Sequence, residues 1–442
     1  MARILIATVP IIGHIAPMLP LARALVARGH QVAWYTGEKH RARVERTGAR
    51  FFGYTRARDI DESELDAAFP ERSKLSGINQ LKFDMKHVFI DAAPDQLADL
   101  TAVIEEFPAD LVLGNPGMIG GLFLFERGGP PIGTFGVMPL GLSADEVAPF
   151  GFGIQPSASF LGRQRNKMLH AFVQNVALRD TQTHWNRTRA GVGLAPTGWW
   201  LDMGTRASFY LQPTVPSFEY PRSNLPSHVH FVGMMPAERP QDVPQPSFWS
   251  ELDGTRPVVH ITQGTVANTN PDLFAPALAG LADQNVLVVI STGNRPLESL
   301  KLGTLPKNAR VAPFISYPEL LPKTSVMLTN GGYGGVQMAL SYGVPLVVAG
   351  ASEDKPEVAA RVAWSGVGIN LKTGKPTPEA VRKAVMQVLD DPRYRTQARA
   401  LADEYKLYDA LSRSVTIIEN QLKQAHSRAS RPTLDPGRVS LV

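Results

Sequence analysis

Residues 326–345 read Val326-Met-Leu-Thr-Asn-Gly-Gly-Tyr-Gly-Gly-Val-Gln-Met-Ala-Leu-Ser-Tyr-Gly-Val-Pro345. Residues 326–329 form an unbroken apolar and β-branched run, the pattern of a strand buried on both faces of a parallel sheet. Asn330, Gly331, Gly332, Tyr333, Gly334 and Gly335 break that run, and a helix of about two to three turns then leads to a stop at Gly343. Glycines at such a turn let the backbone come within hydrogen-bonding distance of a bulky anion. The helix start adds unpaired N–H groups and a partial positive charge. A phosphate or pyrophosphate suits this arrangement. A turn whose glycines serve only tight strand-to-helix packing suits the same spacing, and the pattern alone leaves both open.

Outward from this segment the alternation continues. Residues 258–262 and 286–291 read as strands, 271–281 as a helix, and 311–312 and 346–349 as further strands of one parallel sheet. The front of the chain repeats the scheme. Residues 3–9 form an apolar run ended by Pro10; Leu19, Leu21, Ala22, Leu25 and Val26 recur at helical spacing before a stop at Gly29; and 31–36, 111–114 and 131–137 read as strands. Eight prolines between Pro213 and Pro246 suit an extended connector better than central strands or helix interiors. The expected organisation is α/β, with two Rossmann-like parallel-sheet domains at 1–212 and 247–410 and a connector at 213–246. A C-terminal helix with a frayed tail is expected at 411–442. Two such domains face each other across a cleft at the carboxyl ends of their strands, the usual ligand site of open α/β sheets.

Composition narrows the function. A chain of 442 residues with 44% hydrophobic, 19% charged and 8% aromatic residues builds folded domains, not a disordered chain. The net charge of +5 is spread without a basic run, so no nucleic-acid partner is expected. The absence of cysteine excludes disulfides and thiolate metal sites and permits a cytoplasmic setting. Pro10, His14, Pro17 and Pro20 interrupt what would have to be a signal-peptide core, and no run approaches the roughly twenty apolar residues of a transmembrane segment. The patterns GxxxxGK[ST], GxSxG and HExxH do not occur, and no GxGxxG follows the first strand. Dispersed histidines, and the lack of a DxD pair beside the glycine turn, give no metal site.

Two segments carry a resemblance. Gly13-His14-Ile-Ala-Pro17-Met-Leu-Pro20-Leu-Ala-Arg-Ala-Leu-Val-Ala-Arg-Gly29-His30 and residues 314–355 are similar, in order and spacing, to the first loop and helix and to the donor-binding signature of the family 1, GT-B glycosyltransferases. That group contains UDP-glucuronosyltransferases, plant secondary-metabolite glycosyltransferases and bacterial macrolide or glycopeptide glycosyltransferases. The resemblance spans nearly the whole chain. It implies an inverting transfer of a sugar from a UDP- or TDP-sugar to a hydroxyl of a small hydrophobic acceptor of natural-product, phenol or polyketide type. The nucleotide sugar is then a co-substrate, no cofactor or metal is needed, and the protein acts as a monomer or homodimer. A sugar-nucleotide epimerase or hydrolase on the same fold, or a non-catalytic auxiliary relative, are the alternatives.

Residue by residue, the resemblance implies that His14 is the general base, a role suited to an imidazole whose ordinary pKa lies near 6.5. Asn115 stands where relatives carry the aspartate that holds this histidine, which leaves Asp84 or Asp91 as other possible supports. On the donor side Phe314 would stack on the nucleobase with the backbone of Ile315 reading its edge. Gly264, Thr265 and Thr292 would border the phosphates. Asn330 takes the place of a histidine, and Gly332, Tyr333, Gly334 and Gly335 supply N–H groups. Met338 replaces a ribose-binding glutamate. Asp354 would orient the sugar, with Lys355 where relatives have glutamine. Phe83, Phe89, Met138, Phe150 and Trp199 are candidates for an apolar acceptor wall.

Overall fold

The computed structural model describes residues 1–60, 62–236, 244–264, 273–293, 295, 300 and 302–429. The first sheet comprises β1 (Arg3–Ala7), β2 (Gln31–Tyr35), β3 (Arg50–Phe52), β4 (Leu111–Gly114), β5 (Ile132–Phe135), β6 (Phe209–Gln212) and β7 (Val229–Phe231), all parallel, in the order β3-β2-β1-β4-β5-β6-β7. The second comprises β8 (Val258–Thr262), β9 (Leu287–Ser291), β10 (Ala309–Ala312), β11 (Val326–Thr329), β12 (Leu346–Val348) and β13 (Gly368–Asn370), in the order β10-β9-β8-β11-β12-β13. In both sheets the order reverses beside the first strand, between β1 and β4 and between β8 and β11. Those reversals are where ligands settle in doubly wound sheets.

The apolar runs explain the sheets. β8, β9, β11 and β12 are buried along their whole length, as both-face coverage by helices requires. Helices Phe274–Leu281 and Pro378–Asp390 close one face of the second sheet around Ile261, Val288, Ile290 and Leu328.

Two findings differ from the sequence expectations. The proline-rich span at 213–246 is not only a connector, because β7 lies within it. Prolines flank β7 and leave its three residues free to pair as the edge strand. The final helix, Ala410–Ala429, packs on the first domain. Its Val415, Ile418 and Leu422 join Leu19, Leu21 and Leu25 in one apolar cluster, and Glu419 accepts from the Arg28 guanidinium at 3.0 and 3.1 Å. The tail at 430–442 lies outside the described residues.

The domains meet at their carboxyl ends. Gln212, at the end of β6, donates to the Tyr333 hydroxyl at 2.8 Å and to the Met138 carbonyl at 3.0 Å; Thr214 donates to Gln337 at 3.2 Å. Val215 and Phe218 sit in the same cluster as Met327, Val336 and Leu340.

Candidate functional site

In the front half, β1 ends at Ala7 and the chain turns through Pro10 into a single helical turn, Ile12–Ile15, that carries His14. β4 pairs with β1 so that Gly114 faces Ala7, and the next residue along β4 is Asn115. Both side chains therefore stand at the first reversal of strand order. Asn115 is buried and its Oδ1 accepts from the Gly117 N–H at 3.2 Å, while its Nδ2 and the Nδ1 of His14 are both buried atoms without a hydrogen-bond partner. Burial pushes the imidazole pKa down to about 4, with the Asn115 amide acting in the opposite direction. At neutral pH the ring is uncharged and offers a lone pair. The two carboxylates considered as substitutes are engaged elsewhere. Asp84 accepts from Arg72 at 2.7 and 3.2 Å, and Asp91 bridges His87 at 2.8 Å and His184 at 2.5 Å.

In the rear half the glycines divide into two kinds. Gly331, at φ +88°, would bring a Cβ to 2.8 Å from Val348 Cγ1, and Gly350 would bring one to 2.0 Å from the Asn330 carbonyl oxygen. Both serve packing. Gly332 would meet nothing nearer than 3.9 Å, Gly335 nothing nearer than 3.8 Å, and Gly334 nothing within 4 Å. No protein atom excludes a side chain there, and Gly334 and Gly335 lie inside the helix, where glycine is a poorer helix former than alanine. A cradle kept free of Cβ atoms, at the N-terminus of the helix Tyr333–Ser341, is what close approach of a diphosphate demands. The second strand-order reversal holds this cradle as the first holds His14.

The Asn330 side chain braces the turn. Its Nδ2 donates to the Gln263 carbonyl at 2.6 Å and its Oδ1 accepts from the Gly332 N–H at 3.4 Å. Gly332 thus directs its N–H to Asn330, leaving those of Tyr333, Gly334 and Gly335 as the helix-start donors. Tyr333 is buried and its hydroxyl accepts from Gln212. Gly264, at φ +71°, follows β8 beside Asn330, whereas Thr265 lies outside the described residues. The Thr292 hydroxyl donates to the Arg295 carbonyl at 2.7 Å and so closes its own loop.

Phe314 follows β10 and is half-buried outside the apolar clusters, while Ile315 is sequestered with Val289 and Leu320. An aromatic ring beside a core that does not include it suits nucleobase stacking better than packing. Asp354 caps the helix Lys355–Trp364 without a side-chain cap bond, and burial raises its pKa to about 6 against the opposing charge of Lys355. Lys355 is buried with its ammonium paired to Glu353, a residue held at φ +57°. Met338 is half-buried against the apolar cluster under β11 and β12.

The acceptor-wall candidates separate by position. Phe89 lies against Gly117, where a Cβ would meet its ring at 3.2 Å, and so reaches the Asn115 loop. Met138 and Phe150 follow β5, the latter against Gly141. Phe83 packs between Phe69 and His87, and Trp199 beside Trp200 on the apolar layer under the first sheet. Sequence reasoning missed Gln212 and Glu357, two polar side chains buried where the domains meet; no local motif marks either. A separate open groove of about 590 Å³, lined by Lys82, Lys86, Arg179, Asp180, His184 and Arg187, contains none of the site residues. Among the described residues no group of histidines and acids is placed to hold a metal, and no helix is long and apolar enough to cross a membrane.

Comparison with known proteins agrees with this architecture. Residues 276–411 match the family model for the C-terminal domain of erythromycin biosynthesis protein CIII-like proteins. The chain is 45% identical to 4'-demethylrebeccamycin synthase of Lentzea aerocolonigenes, over 95% of this chain and 99% of that protein. It is 35% identical to UDP-glycosyltransferase 2 of Phaeomoniella chlamydospora, over 92% of this chain and 93% of that protein. The solved structure of the glycosyltransferase VinC in complex with dTDP superposes with a TM-score of 0.67 at 20% identity, covering 96% of this chain and all of that one.

Proposed function

The chain belongs to the family 1 GT-B glycosyltransferases, and from that premise we propose that it moves a sugar, with inversion, from a UDP- or TDP-sugar to a hydroxyl of a small apolar acceptor of natural-product, phenol or polyketide type. The observation that carries this reading is the open space at Gly332, Gly334 and Gly335, which the protein itself does not need. The diphosphate lies against the N–H groups of Tyr333, Gly334 and Gly335. His14 Nε2 takes the acceptor proton as the acceptor oxygen attacks the anomeric carbon. The bond from that carbon to the β-phosphate oxygen breaks, and the charge on the departing nucleoside diphosphate is met by the same helix start. The names of relatives that use UDP, and of the neighbour that holds dTDP, support either nucleotide. Met338 at the ribose position withholds the acceptor pair a ribose diol would use, which favours neither.

An imidazole buried enough to titrate near 4 is a weak base, so the acceptors it serves best are acidic hydroxyls such as phenols. Asn115 adds to this, because an amide cannot offset an imidazolium charge. Asn115→Asp should move the acid-side limb of the pH–rate profile, where His14 becomes protonated, to higher pH and raise transfer to aliphatic alcohols by about tenfold, roughly the effect of one pKa unit on a base. An unchanged profile would place the two side chains out of contact.

Asp354 gives a second pH signature. Its raised pKa means that the carboxylate which accepts from sugar hydroxyls is present above pH 6 and lost below it. The donor KM should therefore rise as pH falls through about 6, and Asp354→Asn should give a high, pH-independent donor KM. A wild-type donor KM that is flat from pH 5 to 8 would remove Asp354 from the sugar subsite. The overall reading is tested by incubating the protein with UDP- and TDP-sugars and a panel of phenols. Glycoside of inverted configuration is the expected product; nucleotide release without glycoside would point to a hydrolase.

A further inference from the structure

Buried where the domains meet is an ionic cluster that the transfer chemistry does not use. Arg361, on the helix Lys355–Trp364, is fully buried, and it donates to Glu219 at 2.5 and 2.8 Å and to Glu357 at 2.9 Å. Glu219 also receives the Leu140 N–H at 2.9 Å, and Arg222 completes the charge balance through a contact of 3.4 Å to Glu219. Glu219 supplies the ion pair that Arg361 makes across the domains, and Glu357 pairs with it from one turn back on the same helix. Glu357 does something different with its second oxygen, which accepts from the N–H of Gly151 at 2.9 Å and from that of Gly153 at 2.8 Å.

The loop at 150–153 is shaped for this contact. Gly151 and Gly153 adopt φ of +100° and +60°, which side-chain-bearing residues rarely reach, and a Cβ on Gly153 would stand 2.8 Å from the Pro356 carbonyl oxygen. The loop therefore lies flat on the first turn of the helix that begins with Asp354 and Lys355. Phe150, a candidate for the acceptor wall, is the neighbour of the first tied amide. One carboxylate, 3% exposed, thus joins the acceptor-side loop of the first domain to the sugar-side helix of the second.

We propose that Glu357 is a positioning residue that ties the acceptor-side loop at 150–153 to the helix carrying Asp354, so that the acceptor wall and the sugar subsite keep one relative geometry. The proposal rests on the roles given above to Phe150 and Asp354. It makes the loop's order depend on a residue that touches neither substrate.

Amide hydrogen exchange in the ligand-free protein tests the tie, and transfer kinetics test its use. Glu357→Ala should speed exchange at Gly151 and Gly153 by about tenfold or more, while Glu357→Gln, which keeps an acceptor oxygen, should stay within about threefold of wild type. Exchange across the glycine turn at 331–335 should be unchanged in both. With a UDP- or TDP-sugar and 4-nitrophenol, Glu357→Ala should raise the phenol KM by about tenfold and leave the donor KM within about twofold, with the glutamine variant restoring the phenol KM. Unchanged exchange at the two glycines, or loosening spread equally over the whole chain, would overturn the proposal. So would a donor KM that rises in step with the phenol KM. A wild-type protein that turns over no UDP- or TDP-sugar would count against the proposed donor class. The tie itself would still be decided by the exchange rates.

Discussion

His14→Ala should lower the rate of transfer to an alcohol acceptor by about 10²- to 10⁴-fold, the range a positioned general base contributes, and leave UDP or TDP affinity within about twofold of wild type. The split follows from the two-ended site. The imidazole stands after the end of β1, whereas the glycine turn proposed to hold the diphosphate stands after the end of β11 in the other domain. Neither carboxylate considered as a substitute is poised to take over, because Asp84 is held by Arg72 and Asp91 by His87 and His184. A phenol that ionises near neutral pH needs less help, so the loss should shrink as acceptor acidity rises. Surviving activity with aliphatic alcohols would show that another group removes the proton. A matching loss of nucleotide affinity would show that His14 serves the donor instead.

Arg361→Met should destabilise the protein by about 3–5 kcal/mol, as removal of one partner of a buried ion pair does. Burial works against the Glu219 charge, yet Arg361 and Arg222 outweigh that effect and hold its carboxyl below the usual carboxylate range. Without Arg361 the ionic cluster keeps two buried acids, Glu219 and Glu357, and one arginine, Arg222. The Tyr220 ring would also lose the guanidinium stacked 4.0 Å from its centroid. Denaturant unfolding of Arg361→Met, Glu219→Gln and the double variant measures this. The double variant should be less destabilised than the sum of the singles, since each single leaves a charge unmatched. A single-variant loss below about 1 kcal/mol would mean that water reaches the cluster.

Much of the architecture was legible because a parallel sheet covered on both faces writes itself as apolar runs. β4, β8 and β11 match their sequence expectations residue for residue, and β1, β2, β9 and β12 differ only by a residue or two at their ends. β3, β7 and β13 were not legible, being three-residue edge strands with too few positions for any period to show. β6 is buried along its length, but it sits between an irregular stretch and a proline run that hides its pattern. The site divides in the same way. His14, Asn115 and the glycine turn follow strands at fixed offsets, so position in sequence predicts position at the strand ends. What the glycines are for was not legible, since packing and ligand approach demand the same residue; only the space around Gly332, Gly334 and Gly335, set against the crowding at Gly331 and Gly350, separates the two. Arg361 follows Asp354 and Lys355 on a charged segment, and nothing in that pattern marks it as buried. Only the fold brings Glu219, 142 positions away, onto it.

The most direct test of the facing cradle and imidazole is a crystal structure with UDP or TDP bound. The diphosphate should lie within about 3 Å of the N–H groups of Tyr333, Gly334 and Gly335, with its sugar-bearing oxygen directed toward His14 and the base against Phe314. A nucleotide bound elsewhere, or a diphosphate whose sugar-bearing end points away from His14, would contradict the account.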